Sequence, residues 1–434
     1  MHPEGELNTL KGKNNVKKIE IPASKTLVPR EHRLANGRKL YYFPSATELV
    51  KIDFLSEAGS AYQPQPLVAA AANKLFSVAG GDMTAEQLSE FFDFRGIIVE
   101  SNNAAFQSTS TFYTLSRHLG DLLSVLDGLV HAPAFPEREF DIYRRERRQK
   151  IMASQQKSSD MARREFYKAL FGFDHPLGTY ATPEDADRLD LEMVKRHYAD
   201  YHRAGDLDIV LAGHVDDCLL AAIDDRFGHD TPSDSQKHLS LHSSSLPFSP
   251  SHSQFSIPSS VQSTIRVGRI LPLRWDDIDY ARLTLLVTLL GGYFGSRLMS
   301  NLREDKGYTY SIYARTQLYR GVIVFYITAD VAGSAANEAE KEIMNELQRL
   351  VDEPVADEEL DLVRTVLVGD FLRSVDGIFE RSARFCDMLG TDIDELFTDN
   401  LREAIRTTTP ADLQRLAATH LAPRQMTVCR AGAL

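Results

Sequence analysis

The sequence has few of the residues on which disulfide frameworks and thiolate metal centres depend. Its 434 residues include three cysteines, Cys218, Cys386 and Cys429, which stand far apart, and there is no Cys-x-x-Cys pair. An odd number of widely spaced cysteines argues against a disulfide scaffold and against a thiolate metal site. We therefore expect three reduced thiols, most of them buried.

Long apolar runs are missing as well. The sequence contains no run of about 18 apolar residues, so no membrane-spanning helix is expected. Residues 1–18 are polar and lack the apolar stretch of a signal peptide, which predicts a cytoplasmic protein, or a periplasmic one if such a peptide has been removed. The formal net charge of -12 argues against nucleic acid or an anionic membrane as the main partner.

The common catalytic motifs are also absent. No phosphate-binding GxxxxGK[ST] loop, GxSxG elbow or GxGxxG turn occurs in the sequence. Of the 13 histidines, only His238 and His242 stand four residues apart, and they lie in a serine-rich stretch that would not fix the geometry of a metal site. His175 and His202 each follow a predicted helix, where we expect them to cap or pack.

The serine-rich stretch divides the chain. Serines with Pro247, Pro250 and Pro258 dominate its composition, which is typical of a linker because such a segment buries little apolar surface. We predict an N-terminal domain over residues 1–230, an interdomain linker over 231–260 and a C-terminal domain over 261–434. Each half is long enough to enclose its own core.

The two predicted domains show the same order of elements: strand, helices, hairpin, helices, strand. In the first, a capping box of Thr84 and Gln87 begins a helix that Gly96 ends, and a hairpin is predicted around Asn102 and Asn103. In the second, a hairpin is predicted between residues 309–317 and 322–330. This pattern predicts an α+β fold of two similar domains, each a mainly antiparallel sheet packed with helices.

One segment carries a specific resemblance. Residues 290–315, LGGYFGSRLMSNLREDKGYTYSIYAR, resemble the C-terminal half of the insulinase-type peptidases of family M16. The resemblance extends over nearly the whole chain, through LANG at 34–37, EAGS at 57–60, HPLG at 175–178 and LAGHVD at 211–216. It implies the metallohydrolase fold of that family, which is shared with the mitochondrial processing peptidases.

The resemblance also implies that the zinc site is lost. The family carries an HxxEH motif on its first long helix, with two histidine ligands and a glutamate base, and a further glutamate ligand downstream. Here Ala69 and Asn73 fall at the histidine positions, Ala72 at the base and Lys150, or its neighbour Gln149, at the third ligand. Alanine has no donor atom and a lysine repels a cation, so no zinc is expected in this chain.

The family's substrate-binding pair is retained. Arg303 and Tyr310, seven residues apart, match an arginine that holds a peptide carbonyl and a tyrosine that supports the developing oxyanion. The resemblance also implies that peptide binds as an added strand along residues 97–100, where Glu100 replaces the family's usual asparagine.

The retained pair and the lost ligands lead to one principal hypothesis. The resemblance implies a non-catalytic subunit that forms a heterodimer with a zinc-bearing homologue and supplies Arg303 and Tyr310 to its active site. The substrates would be peptides, and a homodimer is the alternative assembly. A structural protein, like the core subunits of respiratory complexes, is the second hypothesis. An autonomous peptidase with other ligands is the third.

Overall fold

The structure is a computed structural model that describes residue 21 and residues 28–202, 206–232 and 249–433. His238 and His242 lie outside these residues. Within the described residues, none of the helices combines the length and apolar character that crossing a membrane requires.

The N-terminal half contains six strands and eight α-helices among its described residues. The strands are β1 (Arg30–Arg33), β2 (Lys39–Pro44), β3 (Leu49–Ser56), β4 (Ile98–Asn103), β5 (Ser108–Leu115) and β6 (Asp208–Gly213). The helices are α1 (Val68–Leu75), α2 (Ala85–Arg95), α3 (Leu119–His131), α4 (Glu137–Gln155), α5 (Ser158–Phe171), α6 (Pro183–Asp187), α7 (Leu191–Tyr201) and α8 (Asp217–Phe227). The predicted capping box of Thr84 and Gln87 opens α2, and Gly96 closes it with a φ of 63°.

The described residues of the C-terminal half form five strands and six α-helices. The strands are β7 (His252–Ser256), β8 (Gln262–Leu271), β9 (Thr309–Tyr319), β10 (Val322–Ala332) and β11 (Thr427–Gly432). The helices are α9 (Ile278–Gly291), α10 (Ala336–Asp352), α11 (Asp357–Arg373), α12 (Ile378–Thr391), α13 (Glu395–Thr407) and α14 (Pro410–Leu416). Two π-helical segments, Met299–Asp305 and Ala417–Leu421, complete it.

The two sheets have the same strand order. The N-terminal sheet runs β1-β2-β6-β3-β5-β4 and the C-terminal sheet runs β7-β11-β8-β10-β9, so β2 corresponds to β7 and β6 to β11. In each sheet these two strands pair in parallel, and the other pairings are antiparallel. The prediction of an α+β fold with two similar, mainly antiparallel domains is confirmed.

In each sheet, the strand that comes last along the chain ends in a glycine. Gly213 in β6 and Gly432 in β11 both have a φ of 129°, and a Cβ at either position would collide with the neighbouring strand, at the carbonyl of Leu49 or of Gln262. Only glycine satisfies both the positive φ and the close backbone approach. The pairs Ala212-Gly213 and Ala431-Gly432 therefore mark equivalent points of the repeat.

Two local predictions need correction. The linker predicted over 231–260 contains β7, which pairs with β11 from His252 to Ser256, so the C-terminal sheet begins before residue 261. Serine is tolerated there because β7 is an edge strand in which every second side chain, starting from His252, is exposed. The first hairpin turns at residues 104–107 rather than at Asn102 and Asn103, which belong to β4.

Each half covers the other's sheet with one helix. Phe166 and Leu170 of α5, from the N-terminal half, pack on Ile270 and Val324 of the C-terminal sheet. In return Phe385 of α12, from the C-terminal half, packs on the N-terminal sheet. Because its own helices cover the opposite face, each sheet is enclosed on both sides.

A buried ion pair lies beneath α12. Lys51 Nζ is 2.8 Å from Asp53 Oδ2 on β3, and the two residues are only 5% and 1% exposed. Thr111 donates a 2.6 Å hydrogen bond to the same carboxylate, and Ser382 of α12 donates one of 3.3 Å. Burial by itself lowers the pKa of Lys51, but the adjacent Asp53 carboxylate raises it by more, so the lysine stays charged.

Candidate functional site

The family resemblance places the zinc ligands on helix α1. The side chains that stand at those positions are buried in the protein. Ala69 and Ala72 are fully buried and Asn73 is 2% exposed. Leu67 directly precedes the helix and has a left-handed φ of 80°. In the first turn, the backbone amide of Ala69 donates a hydrogen bond to the side-chain oxygen of Gln63. The small alanines let α1 lie close to the sheet and to α7.

The side chain of Asn73 is fully engaged. Its amide nitrogen donates to the carbonyl oxygens of Asn102 (2.8 Å) and Thr109 (3.2 Å), which are paired across β4 and β5. Its amide oxygen accepts a hydrogen bond from Ser110 at 3.0 Å. Asn73 therefore links α1 to β4 and β5, the two outer strands on this side of the sheet.

The residues at the zinc positions do not fit a zinc ion. Ala69 and Ala72 have no donor atom, and the Asn73 amide is already used. Lys150 on α4 is 69% exposed and lies 3.8 Å from Glu146, and the neighbouring Gln149 is exposed. Over the residues that the structure describes, no three histidine, cysteine or acidic side chains are grouped so that they could hold a metal.

Arg303 lies in the π-helical segment Met299–Asp305 and faces solvent in part. Its guanidinium carbon is 4.8 Å from the ring centre of Phe294, an aromatic residue that is itself 60% exposed. A cation–π contact of this kind orients the guanidinium group without consuming its hydrogen-bond donors. Among the described residues, no carboxylate lies within ion-pair distance of Arg303, so its planar fork is available to a ligand.

Tyr310 projects from an irregularity in β9. Asp330 of β10 pairs with Ser311 and Val331 pairs with Thr309, so Tyr310 is the additional residue of a β-bulge. The Thr309 hydroxyl stabilises the bulge because it donates to the Asp330 carbonyl (2.6 Å) and accepts from the Ser311 amide (3.0 Å). Bulges redirect side chains, and here the result is a tyrosine that is 90% exposed.

The strand implied to bind peptide is at the edge of the N-terminal sheet. β4 pairs with β5 on one side only, so its other side offers backbone groups to an added strand. Glu100 is exposed on this strand, whereas Asn102 contacts α1 through its carbonyl. The edge strand and α1 are thus held together by Asn73.

His175 and His202 take packing positions. His175 Nδ1 accepts the amide of Leu177 at 3.1 Å within the HPLG turn, and burial lowers its pKa. His202 ends α7 and bonds Ser56 at 3.0 Å; burial, and then the neighbouring His197, lower its pKa to about 3. Both rings are therefore neutral near pH 7.

Phe294 is the residue of this site that sequence reasoning overlooked. The tripeptide Tyr293-Phe294-Gly295 within a glycine-rich turn could have indicated it, because turns lie at the surface and often carry functional residues. The bulge at Tyr310 had no such signal, since the strand pattern is the same with or without an additional residue.

Three comparisons bear on this arrangement. Residues 188–367 match the family model described as the peptidase M16 inactive domain. The "uncharacterized zinc protease YmxG" of Bacillus subtilis (strain 168) is 22% identical over 314 residues, which are 69% of this chain and 72% of that protein.

Solved structures share the fold. The M16 inactive domain from Pseudomonas fluorescens superimposes with a TM-score of 0.81 at 19% identity, over 94% of this chain and 98% of that one. The periplasmic protease PqqL from Escherichia coli gives a TM-score of 0.73 at 12% identity, over 94% of this chain but 46% of that longer one.

Fold and site together define a peptidase-type α+β protein of two similar domains, with packed side chains where zinc ligands would stand. Residues 188–367 match the M16 inactive domain, and the fold of the solved M16 inactive domain extends over 94% of the chain. The family prediction made from the sequence motifs is thereby confirmed.

Proposed function

We propose that this chain is the zinc-less subunit of a two-chain M16 peptidase and supplies Arg303 and Tyr310 to the site of a zinc-bearing homologue. The observation that carries the proposal is the contrast between the two halves of the site. Asn73 and the alanines of α1 are packed and satisfied, whereas Arg303 and Tyr310 are solvent-accessible and face no carboxylate within the described residues.

The chemistry of this pair suits peptide hydrolysis. A guanidinium fork can hold a peptide carbonyl of the substrate, which fixes its orientation. A phenol hydroxyl placed beside the scissile carbonyl donates a hydrogen bond to the oxygen as negative charge develops on it. Both roles need side chains that another molecule can reach, as the 90% exposure of Tyr310 allows.

Exposed apolar side chains support a protein partner. Phe94 (85% exposed) and Ile98 (59%) flank Gly96 in the N-terminal half, and Phe294 (60%) belongs to the Arg303 region of the C-terminal half. Large apolar side chains are seldom left in solvent in groups unless they contact another molecule. The length relation with PqqL agrees with a two-chain assembly, because this chain spans 46% of that protease.

The test is reconstitution with a zinc-bearing homologue and a quenched fluorescent peptide. The mixture should cleave the peptide while neither chain alone does so efficiently, and Tyr310→Phe should lower kcat by roughly 100- to 1,000-fold, as expected for the loss of one oxyanion donor. Tyr308→Phe is the matched control because it removes the same atom two residues away, from a side chain packed on the core. Arg303→Gln should mainly raise KM.

Full activity of the Tyr310→Phe mixture would contradict the assigned role. A stable complex that cleaves no peptide would instead favour the second hypothesis, a structural subunit. Stoichiometric zinc retained by this chain alone, measured by metal analysis, would favour an autonomous peptidase.

A further inference from the structure

A cavity of about 470 Å³ lies where the two halves meet. Its floor is the outer face of β8–β10, one wall is α5, and its rim is the segment that follows the HPLG turn. None of its lining residues belongs to the site described above. The cavity is lined by arginines and tyrosines, which are the side chains that most often bind anionic groups with planar or aromatic parts.

The charged side chains that line this cavity are arginines, and the Glu165 carboxylate lies beside it, where it accepts a 3.1 Å hydrogen bond from the lining residue Tyr180. Arg163, Arg164 and Arg266 line it, and no aspartate or glutamate does, although the chain as a whole has a net charge of -12. Arg163 lies 3.4 Å from Asp160, and Arg164 donates a 2.5 Å hydrogen bond to Ser154. These two arginines are thus partly satisfied by the protein itself.

Arg266 is different. It is 8% exposed, its Nε has no hydrogen-bond partner, and among the described residues no carboxylate lies within ion-pair distance of it. Its guanidinium carbon is held over the ring of Tyr326 at 4.9 Å and that of Phe166 at 6.0 Å. Burial of an unpaired charge is unfavourable, and aromatic faces offset only part of that cost. An anion in the cavity would supply the missing partner.

A second donor is available beside Arg266. The Tyr319 hydroxyl donates to the Tyr167 hydroxyl at 3.1 Å, which leaves the Tyr167 proton for another acceptor. Burial, and then the neighbouring Tyr167, raise the pKa of Tyr319, so this tyrosine remains protonated. The cavity therefore presents a guanidinium fork and a phenol donor within one chamber.

We propose that this cavity binds an oxyanion, a carboxylate or a phosphate, through the Arg266 fork and the Tyr167 hydroxyl, with the tyrosine rings against any apolar part of the ligand. The proposal stands independently of the subunit function above. It predicts a second ligand site in a chain whose zinc positions are closed. The two sources of such an anion, an organic acid or peptide C-terminus and free phosphate, are separated by the choice of probe.

Isothermal titration of the full chain, at constant ionic strength, tests the proposal. The probes are inorganic phosphate and N-acetylphenylalanine, with the uncharged N-acetylphenylalanine amide as ligand control. Arg266→Gln should weaken binding of the preferred anion at least about tenfold, because it removes the bidentate charge. Arg163→Gln, at a side chain that is 57% exposed, should weaken it less and gives a variant that keeps the buried site intact.

The protein control is Arg274→Gln, an exposed arginine paired with Asp276, which should leave the affinity unchanged. Preference for N-acetylphenylalanine over its amide supports a carboxylate ligand, and binding of phosphate alone supports free phosphate. Binding of neither anion, equal binding of acid and amide without phosphate binding, or unchanged affinity in a folded Arg266→Gln variant would overturn the proposal. If Arg266→Gln does not fold, unchanged affinity in Arg163→Gln would overturn it.

Discussion

Replacing Asp53 by alanine should destabilise the contact between the two halves, because it leaves the Lys51 ammonium group charged and buried beneath α12. Removal of one partner from a buried ion pair costs about 3–5 kcal/mol. We expect about 3 kcal/mol here, since Asp387 lies within electrostatic range of Lys51 and compensates in part. Thr111 and Ser382 also lose their shared acceptor.

A double substitution separates the charge from the packing. Lys51→Met with Asp53→Leu removes both charges and fills the space, so the variant should lie within about 1–2 kcal/mol of the natural protein. Lys39→Met is the control, because its ion pair with Glu31 is exposed to solvent and should contribute little to stability.

The assay is urea unfolding followed by two probes. The single tryptophan, Trp275, reports on the C-terminal half through its fluorescence, and far-UV circular dichroism reports on both halves. Asp53→Ala should shift both transitions to lower urea, since α12 joins the two halves. If Asp53→Ala costs less than about 1 kcal/mol, or the double variant is no more stable than the single one, the reasoning about the buried charge is refuted.

Two further predictions follow from single side chains. Asn73→Ala removes three hydrogen bonds made by a buried side chain between α1 and the β4–β5 hairpin, so it should cost about 2–3 kcal/mol and speed amide hydrogen exchange in β4. Asn400→Ala, which removes one part-buried hydrogen bond, should cost about 1 kcal/mol or less. Burial lowers the pKa of His131, but hydrogen bonds to Asp230 and Asp127 raise it by more, to a value above 6.5. The contribution of His131 to stability is therefore complete below pH 6.5 and is lost as the pH rises through the folded-state pKa, so the difference in Tm between the natural protein and His131→Gln should shrink toward alkaline pH. A constant difference across that range would contradict the assignment.

The family and the fold class could be predicted because they depend on local patterns. The glycine and capping signals at Thr84 and Gly96 specify helix ends through backbone geometry alone, and the motif around Arg303 combines several such signals in a fixed order. The parallel pairing of β2 with β6 had no local signal, since β2 and β3 follow each other in sequence but are separated in the sheet.

The surroundings of polar residues could not be predicted. Lys51 and Asp53 alternate with Val50 and Ile52, which is typical of a strand with one face in water. The pattern identifies the polar face but not what covers it, and here α12 covers it from some 330 positions away along the chain. Arg266 has the same pattern on β8 and is enclosed by α5 for the same reason.

Because α5 and α12 each cover the sheet of the other half, we expect the two halves to associate even without the peptide link between them. A fragment ending at residue 232 would expose Phe166 and Leu170 to water, and the complementary fragment would expose Phe385. Each fragment contains the helix that covers the sheet of the other. A chain divided between residues 232 and 249 should therefore behave as an obligate complex of two fragments. The packing of α5 and α12 across the two halves should therefore hold the two fragments together.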